Sequence, residues 1–171
     1  MKTTSPKTPP AIGFVTVVTG RDDHLIGGYL LVDASGRPLE FHCTAPVRAS
    51  RAQEILYGAT LEPFLYGEQI AATLVGKPKT KPVVVCTDCP AAVSMRSQIA
   101  MPVMLVCEEL GGRDMERFAI DSQSATVASI DAKDRAIIEA AFAGIRIEFD
   151  LEEPFDRIRG AIEEAQRQQA A

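Results

Sequence analysis

Tryptophan is absent from the 171 residues, and the other aromatics are three tyrosines and seven phenylalanines. That leaves little from which to build a stacking platform for single-stranded nucleic acid. Histidine occurs twice, at His24 and His42, so an acid/base pair centred on histidine has little to draw on. Long apolar runs are missing. The longest, 82–86 and 102–107, are strand-sized and far below the ~20 residues of a spanning helix. The first ten residues are polar and proline-rich and lack the apolar core of a secretion signal. Positive charge is in deficit: 18 Lys and Arg against 23 Asp and Glu give a net charge of −5. On that balance nucleic acid is an unlikely partner, and so is an anionic membrane. No Gly-rich phosphate loop ending in Lys-Ser/Thr occurs, and no Gly-x-Ser-x-Gly elbow.

What remains is an ordinary globular composition, 46% hydrophobic and 24% charged, long enough for one domain. Residues 1–12 read as a flexible proline-rich arm, 13–165 as a single α/β domain, and 166–171 as a frayed tail. The four cysteines are Cys43, Cys86, Cys89 and Cys107. Without a secretion signal they fit a reducing cytoplasm and not a disulfide framework.

Local patterning then orders the chain. Residues 13–19, 28–33 and 39–44 are β-branched or alternating segments divided by turn residues, and they predict an antiparallel meander. Gly27-Gly28 reads as a turn before the second strand. Ser50-Arg-Ala-Gln53 has the spacing of a capping box, opening a helix that stops at Gly58. A second helix is expected from Thr60 to Val75. Two buried strands, 82–86 and 103–108, flank a helix capped by Asp88 or Cys89 with Pro90 in its first turn. Gly111-Gly112 breaks the chain, and 117–120 with 125–130 read as a strand pair, the second segment fitting a loop as well. A helix follows Asp131, then an alternating strand at 145–149. The terminal helix has an apolar stripe of Phe155, Ile158, Ala161, Ile162 and Ala165.

Two apolar strands joined through a helix imply a parallel pair. The expected fold is therefore an α/β mixed sheet. An N-terminal three-stranded antiparallel meander is continued by parallel β-α-β units with helices packed on the sheet, and an α-β-α extension closes the chain. In its opening β-β-β-α-β-α-β order the chain resembles ribonuclease-H-like domains. This likeness of topology carries no function by itself.

Four constellations bear on chemistry. Cys86-Thr-Asp-Cys89-Pro90 lies at a strand-to-helix junction, where a helix N-terminus favours thiolate and Cys86 with Cys89 could serve thiol–disulfide exchange. Asp88 opposes it. A zinc site would draw on Cys43, Cys86 and Cys89 with His42 or Cys107, yet His42 and Cys43 are strand neighbours facing opposite ways. A Mg²⁺-dependent nuclease would use Glu54 and Asp88, but the first strand holds no carboxylate, which suits an inactive relative better. Finally, Arg37, Arg48, Arg51, Tyr57, Phe64 and Tyr66 are residue types that carry interface energy. With complete packing signals and no converging catalytic set, the expectation is a non-catalytic accessory subunit. It would act by binding another protein or itself, without a cofactor.

Overall fold

The computed structural model describes residues 9–106, 115–120, 123–128 and 132–170. Among the described residues seven strands, numbered β1 to β7 along the chain, form one mixed sheet in the order β3-β2-β1-β4-β5-β7-β6. Strands β1 (Ile12–Thr19), β2 (Leu25–Val32) and β3 (Pro38–Cys43) make the antiparallel meander. Strand β4 (Val84–Thr87) pairs parallel with β1 on one side and with β5 (Val103–Leu105) on the other. The antiparallel pair β6 (Met115–Ile120) and β7 (Gln123–Ala128) completes the far edge. The α/β mixed sheet expected from patterning is the observed fold.

Period-two alternation sends side chains to two helical layers. On one face Ile12, Phe14, Leu30, Val84, Cys86 and Met104 pack with α4 (Ala132–Ala143) and α5 (Glu153–Ala170), through Ile138, Phe142, Phe155, Ile158 and Ile162. On the other, Val15, Tyr29, Leu31, Val85 and Val103 meet Leu65, Ile70, Leu74, Ala92 and Met95. Each fully buried large apolar side chain contributes about 1.5–3 kcal/mol to stability before entropy is subtracted.

The helices of the second layer begin with α1 (Arg51–Tyr57), which has the expected capping box. The Ser50 side chain accepts from the Gln53 N–H while the Gln53 side chain accepts from the Ser50 N–H. Next come α2 (Leu61–Pro63), a π-helical run (Phe64–Ala71) and α3 (Ala72–Val75). The segment after Cys89 is a 3-10 helix, Pro90–Ser97, and Arg96 ties it to α4 by a bidentate bond to buried Asp134 at 2.6 and 3.1 Å.

Two local expectations change. Gly27 and Gly28 lie inside β2, not in a turn: a Cβ on Gly27 would sit 2.2 Å from Ile70 Cγ2, and one on Gly28 2.3 Å from Ile158 Cγ2. Two bare positions thus let both helical layers approach the sheet. Residues 145–149 form no strand. Their alternation buries Ile147 against the α5-side core, and their backbone touches the meander through Glu148 N–H to Ala34 O. Burial begins at Ala11 and Ile12, and α5 runs to Ala170, its last turns carrying Arg167–Glu163 pairing. The Gly111-Gly112 break, the Asp131 cap, Cys107 and residues 1–8 lie outside the described residues.

Candidate nucleic-acid interface

The chain leaves β1 toward β2 on one side and leaves β4 toward β5 on the other, while β1 and β4 are parallel neighbours. Their carboxyl ends therefore frame the crevice where open α/β sheets bind ligands. In the register, Phe14 pairs with Cys86 and Val15 with Thr87, which brings Thr16 level with Asp88. Thr16 is buried, on the same face as Phe14 and hence toward α5.

Helix α5 delivers Arg159 to this point. Its Nη2 donates to Asp88 Oδ2, and its Nη1 donates to Asp156 Oδ1 at 3.2 Å. The other carboxylate oxygen, Asp88 Oδ1, is buried without a hydrogen-bond partner. Behind the crevice, the Tyr66 hydroxyl is pushed above its ordinary range by burial, partly offset by its hydrogen bond with Thr19.

A divalent cation such as Mg²⁺ needs several carboxylate or carbonyl oxygens around one point. The described residues do not provide them. β1 offers the hydroxyl of Thr16, Asp88 is held by a guanidinium, and no group of three or more His, Cys, Asp or Glu converges among the described residues. Glu54, the second acid expected there, is paired with Arg51 at 2.9 Å on α1, a helix with no buried residue that packs on α2. The sequence pairing of Glu54 with Asp88 is thus not assembled.

The thiols are also apart. Cys86 belongs to the α5-side core, whereas Cys89 packs against the opposite one. Burial raises both thiol pKa values, and for Cys89 the backbone bonds from Ala92 and Ala91 only partly offset this. A helix N-terminus does not make Cys89 a thiolate here, because desolvation outweighs it. Cys43 is exposed at the end of β3 and meets neither of them in a metal-binding group. Of the six residues expected on a partner face, Arg51 and Tyr57 share helix α1. Tyr57 stacks on Phe64 with centroids 4.2 Å apart. Tyr66 turns toward Thr19, and Arg37 sits in the β2–β3 turn at the far end of the meander. Arg159 and Asp156 were missed from sequence. Both lie off the apolar stripe of α5, and nothing in the local pattern marks them.

No protein-family model and no curated protein matches the sequence. Solved structures do. Endonuclease V of Ciona intestinalis, in complex with a 24mer DNA containing an inosine followed by a ribo-adenosine, aligns with a TM-score of 0.51 at 11% identity. The alignment covers 91% of this chain and 87% of that one. A D234N form of the same enzyme with a 23mer DNA aligns with a TM-score of 0.50 at 11% identity, covering 91% and 86%. The fold is thus ribonuclease-H-like, shared with a DNA-bound nuclease. This corrects two expectations: that the chain is a protein-binding accessory subunit, and that its net charge makes nucleic acid an unlikely partner. Net charge is a sum over the whole surface, whereas a strand is met by local cations.

Proposed function

We propose that this chain is a nucleic-acid-binding member of the ribonuclease-H-like fold in which the metal-dependent cleavage centre has been replaced by an ion pair. The observation that carries this reading is Arg159 on Asp88 at the carboxyl end of β4, with Thr16 beside it on β1. A guanidinium there neutralises the carboxylate without offering a coordination site. The neighbours of similar fold hold inosine-containing DNA, which supports nucleic acid as the ligand class. So do Arg21 and Arg48, which engage no ion pair among the described residues and flank the same end of the sheet, at the β1–β2 and β3–α1 connections. No described helix is long and apolar enough to cross a membrane. The free thiols of Cys43, Cys86 and Cys89 suit a reducing, cytoplasmic setting.

The test is fluorescence anisotropy with short single- and double-stranded oligonucleotides, with and without deoxyinosine, beside a cleavage assay in Mg²⁺ or Mn²⁺. The expected result is salt-sensitive binding without cleavage. Failure to bind any of them overturns the ligand class. Cleavage that Asp88→Asn abolishes overturns the replaced centre.

A further inference from the structure

Beyond the crevice, a cavity of about 1080 Å³ opens between the last turns of α5 and the meander. Its apolar lining includes Ile26, Cys43 and Ile162, and its polar lining includes Arg21, Gln166 and the paired Glu163 and Arg167, whose charges offset each other and leave Arg21 as the unpaired cation among the described residues. That volume is slightly above the usual span of ligand clefts, about 300–1,000 Å³. Arg21 and His24 come from the β1–β2 turn, where Asp22 and Asp23 both have left-handed backbones, at φ 56° and 58°. Two successive non-glycine residues in that region cost free energy and persist only where the surroundings hold them. Here Gly20 N–H donates to His24 O at 2.7 Å and closes the turn. The turn therefore keeps Arg21, a cation without a carboxylate partner among the described residues, at the cavity.

The lining matches one ligand chemistry. A flat heteroaromatic ring is accommodated by apolar walls, and a glutamine amide offers its edge one acceptor and two donors. A phosphate next to the ring would meet a free arginine. The cavity also lies along the helix that closes the crevice: Gln166 is seven residues beyond Arg159, about 10 Å along the axis at 1.5 Å per residue. We propose that this cavity receives an unstacked base of a single-stranded nucleic acid, with Arg21 meeting its backbone phosphate. The proposal rests on the nucleic-acid reading above and adds a place and a mode of recognition to it.

Cys43 makes the proposal testable, because it is an exposed thiol lining the cavity. The full chain is alkylated with N-ethylmaleimide with and without a mixed-sequence single-stranded oligonucleotide, and modification of the Cys43 peptide is followed by mass spectrometry. The same strand made of abasic sites serves as the second ligand. Expected are a slowing of Cys43 alkylation by severalfold, half-maximal at the dissociation constant seen by anisotropy, and little protection by the abasic strand. Arg21→Gln is expected to weaken binding about tenfold, as for one lost charge-assisted hydrogen bond. Ala45→Trp, which fills the cavity's rim, is expected to remove the difference between normal and abasic strands while a melting curve shows the fold intact. Binding that leaves Cys43 as reactive as in the free protein overturns this site and leaves the nucleic-acid reading standing. So does equal protection by the abasic strand. Absence of binding to any oligonucleotide overturns both.

Discussion

Arg159 on α5 and Asp88 at the end of β4 are 71 positions apart in sequence and in contact in the fold. The pair is partly exposed at Arg159, with 45% of its side-chain surface open against 19% for Asp88. Solvent screening therefore holds its worth well below that of a fully buried bridge. Arg159→Ala is expected to destabilise the chain by about 1 kcal/mol, because Asp88 Oδ1 already lacks a partner and Oδ2 would lose its own. Asp88→Asn in the same background should recover most of that loss. Urea denaturation of the two single variants and the double variant measures the coupling. A coupling below ~0.3 kcal/mol, the level of independent sites, removes the pair from the argument.

Tyr29 is the largest fully buried side chain, and its hydroxyl is buried without a hydrogen-bond partner. Burial holds its ionisation far above the ordinary range. The hydroxyl lies against Gly13, where a Cβ would fall 2.4 Å away. Tyr29→Phe removes an unsatisfied polar atom and keeps the ring. It is expected to leave stability unchanged or raise it by up to about 1 kcal/mol. Thermal melting that shows a loss of more than that would mean the hydroxyl has a bonding role.

Asp33 organises the β2–β3 turn. Its Oδ1 accepts from Ser35 Oγ at 2.6 Å and from the Ser35 and Arg37 N–H groups at 3.0 Å, and Gly36 takes the left-handed conformation at φ 84°. The Ser35 side-chain bond leads in holding the carboxyl below its ordinary pKa. A carboxylate with a lowered folded pKa stabilises fully above its unfolded value, about 3.9, and that contribution fades as pH falls through the folded value. Asp33→Ala is therefore expected to melt a few degrees lower at neutral pH, with the gap closing below about pH 4. A gap that is the same at pH 3 and pH 7 contradicts the assignment.

The cysteines should separate by reactivity in the native chain. Cys43 is exposed, Cys89 is partly buried with its thiol pKa raised, and Cys86 is fully buried with its thiol pKa raised further. Timed alkylation at pH 7 with peptide mapping should modify them in the order Cys43, Cys89, Cys86, the last only on unfolding. If Cys89 reacts faster than Cys43, an activated thiol is present and the exchange chemistry considered for Cys86 and Cys89 returns.

The fold was largely legible from local pattern. Alternation in 13–19 and 39–44 and the Ser50–Gln53 box mark elements observed within a few residues of the expected ends. Such signals are carried by neighbours in sequence. The strand misread at 145–149 has the right alternation and the wrong partner, since Ile147 packs on a core and enters no ladder. Gly27 and Gly28 were misread because a missing side chain has meaning only against Ile70 and Ile158, which come from helices on opposite faces.

The site was decided almost wholly in three dimensions. Sequence alone determined which chemistry-bearing residues exist: a first strand without an acid, a lone Asp88 after a buried strand, and cysteines in apolar runs. It did not determine which of them meet. Arg159, off the apolar stripe of its helix, is placed on Asp88 by the packing of α5 across β1 and β2, and Glu54 is kept away because α1 packs outward on α2. Periodicity is a property of a few consecutive residues, whereas electrostatic pairing depends on distances set only once the layers are docked.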